Sequence, residues 1–134
     1  MKGLKSTAQT RYDLRYHFVF IPRYRRRVLK GNIAERIEGM IKFACQINDW
    51  ELFEIAIELD HVHLYLGIQP RYSPSEVMKI IKGGTSKKIR ELFPELDEVY
   101  WGENTTFWAD GYLVKTVGEI NDKVISHYIK NQGQ

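Results

Sequence analysis

His61 and His63 flank Val62, and near the other end of the chain Tyr128 precedes Gln132 by one helical turn. In an extended segment, residues two apart face the same way, so the two imidazoles project side by side and can share one cation. Two nitrogen ligands and an oxygen donor suit a hard or borderline divalent ion with positions open for water or a phosphate oxygen. That points to Mg2+ or Mn2+. On a helix, positions i and i+4 share a face, so an ion held by the Gln132 side-chain oxygen would sit near the Tyr128 phenol. Such a phenol can attack phosphorus, and the phosphodiester it forms keeps the energy of the broken bond for rejoining. The ion would polarise the phosphate and stabilise the departing oxygen. His127 is turned about 100° around the helix from Tyr128 and is given no ligand role.

Each half of this pattern also has a plain structural reading. A lone His-x-His is more often the polar face of an ordinary strand, and a Tyr and a Gln at helical spacing are more often a packed ring and a solvated amide. The surroundings weigh for chemistry: Val62, Leu64, Leu66 and Ile68 alternate strictly with His61, His63 and Tyr65. The apolar set belongs under helices, which leaves the histidines on an open face.

The positioning elements follow from periodicity. Tyr12 to Ile21 reads as a first strand closed by Pro22, and Ile33, Ile37, Met40, Ile41 and Ala44 mark an amphipathic helix over 32–48. Trp50 to Leu59 alternates, with Phe53, Ile55, Ile57 and Leu59 on one side and Glu54, Ala56 and Glu58 on the other. A tight connection at Asp60-His61 makes a hairpin with a strand over 62–68. Ser73-Pro74-Ser75-Glu76 starts a second helix, which Gly83-Gly84 is expected to interrupt before Thr85 to Leu92 resumes it. A loop over 97–105, with Tyr100-Trp101 as an anchor, leads to a fourth strand over 107–117 containing Gly111. Gly118 breaks the pattern, and a helix over 120–131 ends it. The order βαββαβ predicts an α+β, ferredoxin-like (RRM-like) antiparallel sheet, with helices on one face and an extra C-terminal helix carrying Tyr128.

A chain of 134 residues, 43% of them apolar, fits one core and one domain over 1–134, with residues 1–10 flexible. Cys45 is the only cysteine, so no intramolecular disulfide can form, and no apolar run reaches membrane-spanning length. A cytoplasmic protein without a membrane partner is expected. Gly83-Gly84-Thr85-Ser86 lacks the spacing of a phosphate-binding Walker loop, so no nucleotide cofactor is expected either. The formal charge is only +3, but Arg23, Arg25, Arg26, Arg27 and Lys30 crowd beside Tyr24, and Lys79, Lys82, Lys87 and Lys88 form a second group. Clustered guanidinium groups near an aromatic ring suit phosphate contact and base stacking, although a lysine-rich helix face is more often simply solvated.

These residues together resemble the single-tyrosine HUH transposases of minimal insertion sequences, the TnpA type. The His-Val-His triplet lies within Glu58-Leu59-Asp60-His61-Val62-His63-Leu64, and the runs YHFVFIPRYRRRVL, IIKGGTSKKI and HYIKNQ resemble that family's opening segment, second helix and terminal helix. The resemblance covers nearly the whole chain in order. It departs at Trp108-Ala109-Asp110-Gly111-Tyr112, where members often carry a small polar pair before the aromatic.

The resemblance implies His61, His63 and Gln132 as metal ligands, with Mg2+ or Mn2+ as the ion. Tyr128 would be the nucleophile that takes the DNA 5′ phosphate and leaves a free 3′ hydroxyl. It also implies a homodimer, with Gly118 as a hinge for the tyrosine helix, and single-stranded DNA with hairpin ends as substrate. Arg23, Arg25, Arg26, Lys82 and Lys87 are the candidates for holding that DNA. Competing readings are a related nickase acting on palindromic repeats, a non-catalytic RRM-like module that stacks bases on Tyr16 and Tyr65, and a metal hydrolase that activates water with no covalent step.

Overall fold

The computed structural model describes residues 5–6, 11–96, 106–116 and 128–130 of the chain. Strict alternation makes His61–Gly67 a half-buried strand, β5, with Val62, Leu64 and Leu66 fully buried and His61, His63 and Tyr65 only partly so. It lies inside a four-stranded antiparallel sheet with Glu51–Glu58 (β4), Arg15–Phe20 (β3) and Leu113–Thr116 (β6), in the order β4-β5-β3-β6. With α1 (Gly31–Asn48) and α2 (Pro74–Leu92), the chain order is the expected βαββαβ. Two short strands precede it: Lys5–Ser6 (β1) pairs with Arg11–Tyr12 (β2), so part of the segment expected to be flexible is hydrogen-bonded.

Both helices cover one face of the sheet. Ile37, Ile41 and Cys45 of α1, and Val77, Met78, Ile81 and Ile89 of α2, form one buried cluster with Phe18, Phe20, Val62, Leu64 and Leu66. Each fully buried aliphatic side chain contributes about 1.5–3 kcal/mol, so this layer fixes the strand register. The start of α2 is locally encoded: Glu76 N donates to Ser73 Oγ at 3.1 Å, and Ser73 N donates to Glu76 Oε1 at 2.9 Å, a reciprocal capping box with Pro74 in the first turn. At the end of α1, Asp49 takes a left-handed conformation (φ 57°) from which its N–H reaches the Cys45 and Gln46 carbonyls.

Three expectations fail for identifiable reasons. Phe53 does not share a face with Ile55 and Ile57. The β4–β5 register shifts between Leu52 and Glu54, so Leu52 and Ile55 both reach the core while Phe53, 38% exposed, turns to the other face. A bulge inserts one residue and breaks simple alternation beyond it.

Gly83-Gly84 does not interrupt α2 either. Glycine costs a helix about 1 kcal/mol per residue, but here the flanking residues are held by the rest of the fold. Thr85 Oγ1 donates to Ile81 O at 2.8 Å and accepts from Trp108 Nε1 at 2.8 Å, and Lys82 Nζ donates to Ala109 O and Gly111 O at 2.8 Å each.

The fourth strand is shorter than expected. Residues 107–109 instead run antiparallel beside Ile21–Arg23, held by a bridge between Trp108 and Pro22, and Gly111 follows at φ 79° where a side chain is disfavoured. Of the expected terminal helix, residues 128–130 are described and are helical. The loop with Tyr100-Trp101, the break at Gly118, His127 and Gln132 lie outside the described residues. Among the described residues, no helix is long and apolar enough to cross a membrane.

Candidate active site

The face of the sheet away from α1 and α2 carries His61 and His63 on β5, with Glu54 brought there by alternation along β4, Phe53 by the bulge, and His17 by alternation along β3. Asp60 Oδ1 lies 3.0 Å from His61 Nδ1. A carboxylate can only accept, so Nδ1 is the donor in this pair. Arg25 Nε stands 3.9 Å from the other Asp60 oxygen, which ties the arginine loop to this end of the site. His63 has a looser version of the same arrangement, its Nδ1 3.7 Å from Glu54 Oε1. Burial holds the His63 imidazole below its ordinary pKa, Glu54 opposes this, and His17 and His61 reinforce it. A neutral imidazole whose Nδ1 faces a carboxylate is the form in which histidine binds a divalent ion through Nε2. The two histidines thus fit a metal. Among the described residues no three His, Cys, Asp or Glu side chains converge on one point, so for such an ion a third donor would have to be of another residue type or lie outside them.

His17 has no assignment from the sequence. Its Nδ1 is 3.2 Å from His63 Nε2, and its ring is stacked on Tyr65 with centroids 4.3 Å apart and planes at 8°. Phe53 lies against the far side of the row, 4.9 Å from Tyr65, with the Arg15 guanidinium 4.7 Å above its ring. Tyr16, the other aromatic residue considered for base stacking, packs against the helix-covered core. The rings of Phe53, Tyr65 and His17 are already engaged with one another, unlike an open stacking platform.

Tyr128 lies on the histidine face. It is 8% exposed and belongs to a second buried cluster with Val19, Ile21, Ala109 and Ile129, against which Leu113 packs. Val19 is the direct cross-strand partner of His63. Burial raises the phenol to about 12, and its hydroxyl is buried with no hydrogen-bond partner among the described residues. A phenol so protected keeps its proton at neutral pH and needs activation to attack.

The basic candidates differ in what they already hold. Arg23 donates to Thr106 Oγ1 at 2.8 and 3.0 Å and to Asp110 Oδ1 at 3.2 Å, and Lys82 is the clamp on Ala109 and Gly111. Burial lowers the Lys82 pKa, Asp110 opposes this, and Arg23 adds to it. Both side chains therefore shape the 106–111 segment. Arg25 and Tyr24 are exposed, Arg26 lies 5.7 Å over the Tyr24 ring, and Lys87 is exposed on α2. Tyr24 and Arg25 adopt left-handed backbone (φ 61° and 51°), a strained turn that presents this loop outward.

The model of the family described as "Transposase IS200 like" matches residues 10–132. The chain is 37% identical over 128 residues to the transposase for insertion sequence element IS200 of Salmonella typhimurium, covering 96% of this chain and 82% of that protein. The chain belongs to the family of IS200-like transposases. The ISDra2 transposase TnpA of Deinococcus radiodurans is 31% identical over 121 residues, covering 90% of this chain and 85% of that one. A crystal structure of a candidate transposase from Deinococcus radiodurans superposes with a TM-score of 0.85 at 30% identity, over 96% of this chain and 97% of that one. The structure of a REP-associated tyrosine transposase bound to a REP hairpin shares the fold, with a TM-score of 0.58 at 14% identity over 95% and 70% of the two chains.

In this IS200-like transposase, the described structure brings Tyr128 and both histidines of the triplet to one sheet face. The histidine supports Asp60, Glu54 and His17 were not legible as such. Asp60 precedes the triplet and could have been found as its carboxylate partner, and alternation along 15–20 alone places His17 on the histidine face.

Proposed function

We propose that this transposase cleaves and rejoins single-stranded DNA at insertion-sequence ends through a 5′-phosphotyrosine intermediate, in a metal-dependent reaction. The observation that carries the reading is that the cluster burying Tyr128 includes Val19, the register partner of His63. Tyr128 Oη attacks the scissile phosphorus as its proton is lost. The bond to the 3′ oxygen breaks, and the 3′ hydroxyl departs with a proton. A second 3′ hydroxyl later attacks the phosphotyrosine, restoring the phosphodiester and the phenol. One phosphodiester is exchanged for another at each step, so no nucleotide is consumed.

His61, His63 and Gln132 would hold Mg2+ or Mn2+, which when bound supplies positive charge to the scissile phosphate and the departing oxygen. Asp60 and Glu54 keep the histidine Nε2 atoms available, and the packing of Tyr128 against the sheet excludes water from the phenol. Arg25 and Arg26, in the loop tied to Asp60, are placed to meet backbone phosphates, and Tyr24 to meet a base. The fold shared with a REP-associated tyrosine transposase bound to a REP hairpin supports subterminal DNA hairpins as the recognised element. We place the enzyme in the cytoplasm, as a homodimer.

Labelled single-stranded DNA carrying the flanking element's hairpin ends, incubated with Mn2+ or chelator, tests this. Wild-type cleavage should require the metal and disappear in Tyr128→Phe and in His61→Ala. Cleavage that persists in Tyr128→Phe would indicate water activation in place of a tyrosine nucleophile.

A further inference from the structure

The contact between His17 and His63 carries an inference that rests on His63 being a metal ligand. Their rings are 5.4 Å apart at the centroids and inclined by 20°, yet the facing nitrogens are only 3.2 Å apart. These separations are compatible only with rings meeting edge to edge in nearly one plane, so the contact is an in-line N–H···N hydrogen bond and not a face stack. It is not a chelate either. Two ligands of one ion must aim their lone pairs at a common third point, whereas these nitrogens aim at each other. Tyr65, parallel to the His17 ring at 4.3 Å, resists the pivot that chelation would require.

The proton in this bond can be assigned. Glu54 faces His63 Nδ1 and favours a proton there, which leaves Nε2 as the acceptor and makes His17 Nδ1–H the donor. Nε2 is also the nitrogen a metal would take. We infer that His17 is a positioning residue that caps the metal-binding nitrogen of His63, so that the His17–His63 hydrogen bond and metal binding exclude one another. Through this bond, with its ring held by Tyr65, His17 keeps Nε2 of the metal-free His63 imidazole covered. It gives up that nitrogen when the ion binds. A single neutral hydrogen bond is weak enough for a divalent ion to displace.

Two measurements test this without reference to cleavage. In the 15N-labelled, metal-free protein, an NMR coupling across the hydrogen bond should link His17 Nδ1 to His63 Nε2, and MgCl2 should abolish it. Calorimetric titration with MnCl2 should give about two- to tenfold tighter binding in His17→Phe, which keeps a ring on Tyr65 but has no donor, than in wild type. His17→Asn, whose amide N–H can replace Nδ1–H, should bind as wild type does, which separates loss of the donor from loss of packing.

A coupling that survives saturating Mg2+, or weaker Mn2+ binding in His17→Phe with wild-type affinity in His17→Asn, would overturn the inference and make His17 a support for the loaded site. If His63→Ala binds Mn2+ as tightly as wild type does, the metal reading of His63 itself fails, and the exclusion with it. The coupling in the metal-free protein would then still report whether the bond exists.

Discussion

His61 Nδ1 donates to Asp60 Oδ1 at 3.0 Å, and this one bond turns the remaining imidazole nitrogen away from the hairpin turn. Partners of this kind typically contribute 10- to 100-fold to metal affinity. Asp60→Ala should therefore weaken Mn2+ binding by about that factor, whereas Asp60→Asn, whose amide oxygen still accepts, should stay close to wild type. Calorimetric titration of the three proteins checks this. Equal affinity in Asp60→Ala would remove the carboxylate from the account.

The 106–111 segment, which supplies Ala109 to the Tyr128 cluster, is tied to α2 by a buried bond between Trp108 Nε1 and Thr85 Oγ1 at 2.8 Å. Thr85→Val keeps the shape but leaves the indole N–H without an acceptor, at a cost of about 1–3 kcal/mol. Adding Trp108→Phe removes the orphaned donor as well, so the double variant should show coupling and lose less than the sum of the two single changes. Urea denaturation at constant slope measures all three. Strict additivity would mean that the bond contributes nothing.

Burial raises the Tyr128 phenol from 10.0 to about 12, so between these pH values the folded protein retains a proton that the unfolded chain has lost. The stability that goes with the protonated phenol is complete below pH 10 and disappears as pH climbs through 12. Wild type should therefore lose on the order of 2 kcal/mol more than Tyr128→Phe over this range. Denaturation midpoints for the two proteins, followed across the alkaline limb, decide it. Parallel curves would show that the phenol is not shielded as described.

What could be read from the sequence followed from periodicity, and what could not followed from long-range contacts. His61 and His63 were legible because nothing interrupts the alternation of β5. Phe53 was misplaced because the bulge at Leu52/Glu54 is fixed by the partner strand and leaves no local signature. Gly83-Gly84 reads as a break by propensity, yet the helix continues because Lys82 and Thr85 are bound to residues 108–111. Lys82 and Arg23, read as candidates for holding DNA, also have partners within the chain that only the folded structure reveals. Tyr128 was legible as a residue type at a spacing. Its burial against Val19 was not, because that packing brings together residues more than a hundred positions apart.

The proposed reaction turns on a covalent bond between Tyr128 and DNA. Purified protein would be incubated with single-stranded DNA bearing the element's hairpin ends and Mn2+, denatured and digested, and the peptide carrying nucleotide mass located by mass spectrometry. A metal-dependent adduct is expected on the peptide containing Tyr128, absent with chelator and absent in Tyr128→Phe. Cleaved DNA with no adduct, or an adduct that persists in Tyr128→Phe, would contradict it.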